Sequence, residues 1–237
     1  MGTFDWKDDL SGDDLAVDEG GIKGISLSTS EVDDKNWGFG KITEIFFQDF
    51  ISYDTTYIWS QTKTGVGNIA TNAYLGGSLA VYSAGIGTAL IKANLSSNFA
   101  IQLNSQFLQE ATFETMLLKV SSNAGTSGEF GFYYNATNFI RLRVANNAWY
   151  FETCKGGVTT SSGDLGEILI DETVYNVKIV CSKSAAFLFV NGAYVRRINT
   201  NVPDNVGLFP YAYAKSTTAD ESDFYFKFIK TYISRNK

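Results

Sequence analysis

The chain has 237 residues, is 44% hydrophobic and 15% aromatic, and carries a net charge of −6 from 19 basic and 25 acidic side chains. A chain this long buries roughly 70% of the surface that its unfolded form exposes, so it needs no disulfide or metal staple. The acidic balance argues against a wide nucleic-acid footprint or docking on an anionic membrane, both of which need a basic face. The absence of histidine removes the commonest general base, the usual serine and cysteine triads and the most frequent metal ligand.

Residues 1–40 differ in texture from the rest of the chain. Between Asp5 and Glu19 lie seven acids (Asp5, Asp8, Asp9, Asp13, Asp14, Asp18, Glu19) against one lysine, Lys7, and glycines come next at Gly20, Gly21 and Gly24. Such a segment buries too little apolar surface by itself to offset its backbone entropy. It nevertheless carries Phe4, Trp6, Leu10, Trp37 and Phe39. Two readings stay open: the arm orders against a partner, or it packs back on its own domain. The opening MGTFDWKDDLSGDDL has no basic n-region and no apolar h-region, so no secretory signal is expected. No stretch approaches 18 consecutive apolar residues. A protein used in a cytoplasm, or leaving a cell by lysis, is the expectation.

From Ile45 onward, short aromatic and β-branched runs alternate with Gly, Ser, Asn and Thr clusters, the texture of an all-β domain. Strands are expected at Glu44–Phe50, Tyr57–Gln61, Leu79–Ser83, Thr88–Lys92, Phe99–Leu103, Thr112–Val120 and Gly128–Tyr134. They continue at Phe139–Val144, Ala148–Cys154, Tyr175–Cys181, Ala185–Val190, Ala193–Ile198, Gly207–Tyr213 and Asp223–Ser234. Gly65-Val66-Gly67 and Gly85-Ile86-Gly87 lack the Lys-Ser/Thr ending of a phosphate cradle and read as turns. A short helical turn fits around Ser105–Glu110. In FIRLRVA, Ile140, Leu142 and Val144 share a face opposite Arg141 and Arg143, the period of a half-buried antiparallel strand. Asn191-Gly192 supplies the positive φ values of a type I′ hairpin, and Asn146-Asn147 marks a second, weaker one. Pro203 and Pro210 fall beside a loop and near a strand end, where no central ladder bond is lost. Cys154 and Cys181 sit in strand-like runs as small buried hydrophobes, although a bridge between adjacent strands is also open.

ATFETMLLKVSS, SGEFGFYYNATNFIRLRV, the block YNVKIVCSKSAAFLFVNGAYVRRINTNVPDNVGLFPYAYAK and the closing SDFYFKFIKTYIS occur in order over residues 44–237. Together they resemble the concanavalin-like, LamG-like sandwiches found as bacteriophage virion structural proteins. The resemblance implies an antiparallel jelly-roll (concanavalin-like) β-sandwich, assigned to residues 41–237; residues 1–40 lie outside the resemblance and are expected, from their composition, to form an extended N-terminal arm. In phages such domains serve as capsid decoration or head-fibre proteins, or sit on the tail, and they often form trimers. The implied partners are a major capsid protein or other virion proteins and further copies of the chain. The implied location is the virion, assembled in the host cytoplasm. On this reading Phe4, Trp6, Leu10, Trp37 and Phe39 hold the arm on the shell. The alternative is a lectin-like module of a tail or head fibre that takes a cell-surface glycan, with Trp149, Tyr150, Tyr211 and Tyr213 as aromatic platforms.

The enzymatic branch of the superfamily hydrolyses glycans with Glu-x-Asp-x-x-Glu on one strand, because that chemistry needs an acid and a base or nucleophile facing each other across a cleft. Here the corresponding strand reads Phe113-Glu114-Thr115-Met116-Leu117-Leu118-Lys119. Glu114 has no second carboxylate at the required offsets, so no catalytic residue is assigned and a non-enzymatic role is expected. Hard cations need several converging oxygens. The acid pairs Asp8-Asp9, Asp13-Asp14 and Asp33-Asp34 and the cluster Asp220, Glu221 and Asp223 read as solvated charge, so no metal and no cofactor is expected.

Overall fold

The computed structural model describes residues 42–49, 59–72, 78–93, 101–103, 108–122, 125–146, 148–166 and 173–235. Within them the chain forms β1 (Ile42–Asp49), β2 (Trp59–Asn72), β3 (Ser78–Ala93), β4 (Leu108–Ser122), β5 (Thr126–Asn135), β6 (Asn138–Ala145) and β7 (Ala148–Lys155). It continues with β8 (Val158–Ser161), β9 (Val174–Cys181), β10 (Ala186–Val190), β11 (Ala193–Ile198), β12 (Phe209–Ser216) and β13 (Glu221–Arg235). No helix occurs among the described residues. The helical turn expected at Ser105–Glu110 is corrected at its described end, because Leu108–Glu110 open β4 and pair with β13.

All pairings are antiparallel and run β11-β10-β9-β4-β13-β3-β12-β5-β6-β7-β8, with β1 beside β13 and β2 beside β3. β4 and β5 stand four spacings apart on this path, ~19 Å in a flat sheet. Yet the rings of Phe113 on β4 and Phe130 on β5 have centroids 6.2 Å apart. The path therefore folds over into two facing layers, a back layer (β11-β10-β9-β4-β13-β1) and a front layer (β12-β5-β6-β7-β8). This is the expected jelly-roll sandwich, nearly closed.

The layers are joined by β2 and β3, each of which belongs to both. Residues Leu79–Ala84 of β3 pair with β13 in the back layer, and Gly87–Lys92 pair with β12 in the front layer. The bend falls on Gly85-Ile86-Gly87, and β2 bends beside it with a register shift between Gly65 and Gly67. These triplets are corners inside long strands, which corrects their reading as turns. Sterics demand glycine at the corner. A Cβ on Gly67 would stand 1.8 Å from the Thr88 carbonyl oxygen, and one on Gly87 2.5 Å from that of Thr64.

Alternation chooses the buried face. Phe130 and Phe132 of β5, Leu142 and Val144 of β6, Trp149 and Phe151 of β7, Phe113 and Leu117 of β4, and Phe224 and Phe226 of β13 fill the space between the layers. Each such ring contributes about 1.5–3 kcal/mol on burial, and edge-on contacts such as Phe113–Phe132 at 5.9 Å and Phe130–Phe226 at 5.7 Å add to it. The expected hairpins hold their residues in the left-handed region, with φ of 49° and 79° at Asn191 and Gly192 and 51° at Asn146. Pro210 lies second in β12, one residue before pairing with β3 begins at Tyr211. Cys154 and Cys181 are buried and unpaired. Their thiols donate to the carbonyls of Thr137 (3.3 Å) and Ala111 (3.4 Å), and burial pushes the Cys181 thiol far up.

Candidate functional site

The residues of the front layer that turn away from the core form one surface. Register places Tyr213 of β12 opposite Glu129 of β5, Glu129 opposite Arg143 of β6, and Arg143 opposite Tyr150 of β7. The adjacent row runs Lys92, Tyr211, Gly131, Arg141, Glu152 and Ser161 across β3, β12, β5, β6, β7 and β8. A third row holds Phe209, Tyr133, Phe139 and Cys154. Polar groups line its middle and aromatic rings flank them.

Glu152 organises the middle. It accepts 2.8 Å bonds from Arg141 Nε and Arg143 Nη2, with further contacts from Arg143 Nε at 3.2 Å. Arg141 also reaches Glu129 on its other side. The guanidiniums keep 19% and 26% side-chain exposure whereas Glu152 keeps 5%, so the arginines are the solvent-facing part of this cluster. Each arginine lies over an aromatic ring, Arg141 over Phe139 at 3.9 Å and Arg143 over Tyr150 at 4.6 Å. One face of each plane is thereby covered and its edge is pinned.

The two carboxyls are pushed in opposite directions. Burial raises Glu129 above the usual carboxylate range, and the pull of Arg141 offsets this only in part. Burial also acts to raise Glu152, but the hydrogen bonds and charges of Arg143 and Arg141 outweigh it and hold the group below that range. Tyr211 is fully buried. Its hydroxyl lies within the field of Glu129 and Arg141 and makes no hydrogen bond of ordinary geometry, and burial together with Glu129 pushes it well above the usual phenol value. Its ring lies against Tyr133, with centroids 4.8 Å apart. Burial likewise raises Tyr133 and Tyr213.

The aromatic platforms expected from sequence are thus distributed unequally. Tyr150 and Tyr213 lie half-buried on the front surface. Tyr211 belongs to the same surface but is fully covered. Trp149 is corrected outright: it faces the core, edge-on to Phe224 at 6.5 Å, because it stands one residue out of phase with Tyr150 and Glu152. Glu114 lies on the outer surface of the back layer, opposite Lys178, where its Oε1 accepts a 3.1 Å bond from Asn176. Asp220 is exposed and bound by Thr218, while Asp223 is buried in β13. Among the described residues no three His, Cys, Asp or Glu side chains converge on one point. Phe4, Trp6, Leu10, Trp37 and Phe39, with the acid pairs Asp8-Asp9, Asp13-Asp14 and Asp33-Asp34, lie outside the described residues. Sequence reasoning missed Glu129, Arg141, Arg143 and Glu152 as a group.

No family model matches the chain, and no curated protein matches its sequence. Solved structures do match its shape. A protein of unknown function from Shewanella oneidensis MR-1 superposes with a TM-score of 0.58 at 12% identity, over 82% of this chain and 87% of the other. The β-glucanase of Bacillus licheniformis gives 0.56 at 12%, over 81% and 98%. The fold is the jelly-roll sandwich. A structure described as an endo-acting O-glycanase expressed by human gut microbiota gives a TM-score of 0.60 at 8% identity, over 82% of this chain and all of the other. The binding domain of botulinum neurotoxin DC, solved in complex with SialylT, gives 0.55 at 11%. The match covers 82% of this chain and 48% of that one, so the sandwich spans about half of the toxin domain. Sandwiches of this shape therefore include both glycan-active enzymes and binding domains, and at these identities the likeness is one of fold.

Proposed function

We propose that the chain is a non-enzymatic, glycan-binding sandwich of virion type, with the front surface around Arg141 and Arg143 as its binding face. The observation that carries this reading is the pair of guanidiniums, each stacked on a ring and fixed in plane by Glu152. Planar donors held in place suit the vicinal hydroxyls of a sugar, and half-buried tyrosines suit its C–H faces. A few convergent polar groups among aromatic walls are the usual make-up of a small-molecule site.

The same geometry argues against turnover. Glycoside cleavage needs two carboxyls facing a gap of about 5–10 Å that the scissile bond enters. Here Arg141 stands between Glu129 and Glu152 and bonds to both, so the gap is filled by a cation. Glu152, ionised and shared by two arginines, is a poor nucleophile and no acid. A glycan array probed with the purified chain should give selective hits that Arg143→Ala and Tyr213→Ala weaken about tenfold or more, the equivalent of one charged hydrogen bond or one stacked ring. No new reducing ends should appear on the bound glycans. Hydrolysis abolished by Glu129→Gln or Glu152→Gln would overturn the non-enzymatic reading.

Capsid decoration is the second reading, favoured by the sequence resemblance and by an acidic arm bearing large apolar residues. None of the four solved structures described for the sandwich is a virion protein by its description, and the arm lies outside the described residues. An array without selective hits, together with binding to assembled capsid shells, would favour it.

A further inference from the structure

Arg141 and Arg143 share one carboxylate but are not enclosed to the same extent. A guanidinium offers two forks of paired donors, one side-on from Nε and Nη2 and one end-on from Nη1 and Nη2. In both residues Glu152 takes the side-on fork. Nε and Nη2 of Arg141 lie 2.8 Å from its Oε2, while Nη2 of Arg143 lies 2.8 Å from its Oε1 and Nε lies 3.2 Å from either oxygen. The two arginines part at the end-on fork. Nη1 of Arg141 donates to Glu129, so this side chain is closed in between two carboxyls. Glu129 stands directly opposite Arg143 in the β5–β6 ladder, yet its carboxyl is turned to Arg141. Among the described residues no acceptor engages Nη1 of Arg143. With Glu152 on one edge and the Tyr150 ring against its plane at 4.6 Å, the open fork is fixed in direction.

We propose that the end-on fork of Arg143 anchors the carboxylate of an acidic sugar. The assignment rests on the front surface being the glycan-binding face, and adds which sugar that face selects. A carboxylate sets two oxygens in one plane to meet two parallel N–H donors and brings the opposite charge, whereas the hydroxyls of a neutral sugar bring none. Tyr213 stands in the same row beyond Glu129, two strand spacings or ~10 Å from Arg143, which leaves room for one sugar ring between them. The surrounding charges do not oppose an anion. Glu152 is shared by two cations, and burial holds Glu129 above the usual carboxylate range, toward its neutral form. Lys92 and Lys215 are the other described charges at outward positions of the layer, and Lys155 and Asp204 at its edge pair with each other. Asp164 and Asp220, at the rim, are tied locally by the Gly166 amide at 2.7 Å and the Thr218 hydroxyl at 3.1 Å.

Calorimetric titration of the full chain tests this with oligosaccharides ending in glucuronic acid or a sialic acid. Each is compared with its carboxyl-reduced, neutral form and with a neutral analogue carrying one sulfate. At least one acidic sugar should bind about tenfold or more tighter than its reduced form, the contribution of a charge-assisted pair of hydrogen bonds. Arg143→Lys keeps the charge and removes the fork, so it should bring that ratio to within about twofold while the reduced form still binds. Equal affinity for acidic and reduced forms, measured on the unaltered protein, would overturn the carboxylate anchor and leave glycan binding standing. A preference for sulfate over carboxylate would do the same. Binding to no member of the panel would remove both readings. An unchanged ratio in Arg143→Lys would put the anchor on another residue and so overturn the assignment.

Discussion

Glu152 does more for the front surface than any other single side chain described. It is the common acceptor for two guanidiniums that lie on neighbouring positions of one face of β6. Glu152→Ala leaves Arg141 and Arg143 to repel each other without their shared acceptor, so a loss of about 2–3 kcal/mol is expected in chemical denaturation. Glu129 acts in the opposite sense. Its folded-state carboxyl titrates above the usual range, so stability falls as pH rises through that raised value. Glu152 titrates below the usual range, so its contribution is present above the ordinary carboxylate value and is lost as pH falls through the depressed one. Stability against pH should therefore pass through a maximum on the acid side of neutrality. Glu129→Gln should remove the fall on the high-pH side and keep the fall on the low-pH side. Thermal melts at closely spaced pH values read both limbs.

Two hairpins do the positioning. The β6–β7 turn sets Ala145 opposite Ala148, and counting back along both strands then forces Arg143 onto Tyr150 and Arg141 onto Glu152. That count is available from FIRLRVANNAWYFETC alone, so half of the site was legible once the turn at Asn146-Asn147 was trusted. The other half was not. Glu129 is placed by the β5–β6 pairing, whose register shifts near Asn135, and Tyr211 and Tyr213 come from β12, about 80 residues further along the chain. Periodicity tells which residues share a face, but not which of two faces a distant strand will cover. For the same reason Trp149 could pass for a surface platform. Its phase against Tyr150 is readable, yet its inward direction depends on β13 supplying Phe224. The glycine corners were misread for a related cause, since glycine marks a bend without saying whether the chain reverses or carries on. Gly67→Ala should be among the most damaging single substitutions in the chain, at about 3 kcal/mol or more, because the obstacle is the Thr88 backbone and not a movable side chain. Gly192→Ala, with nothing near its Cβ position but a φ of 79°, should cost only about 1 kcal/mol. Urea midpoints of the two variants make the comparison.

For the molecule as a whole, alternation and turn chemistry were sufficient to read the architecture, because burying one face of each antiparallel strand leaves few alternatives to a sandwich. The aromatic core also makes covalent stapling unnecessary. Cys154 and Cys181 face different surroundings and keep their thiols, so the melting temperature should be the same with and without reductant. The corners in β2 and β3 reach further. Because two adjacent strands run unbroken from one layer into the other, the front and back surfaces are tied by polypeptide as well as by packing. Mechanical load applied to one surface would pass along these strands to the opposite side without having to shear the aromatic interior.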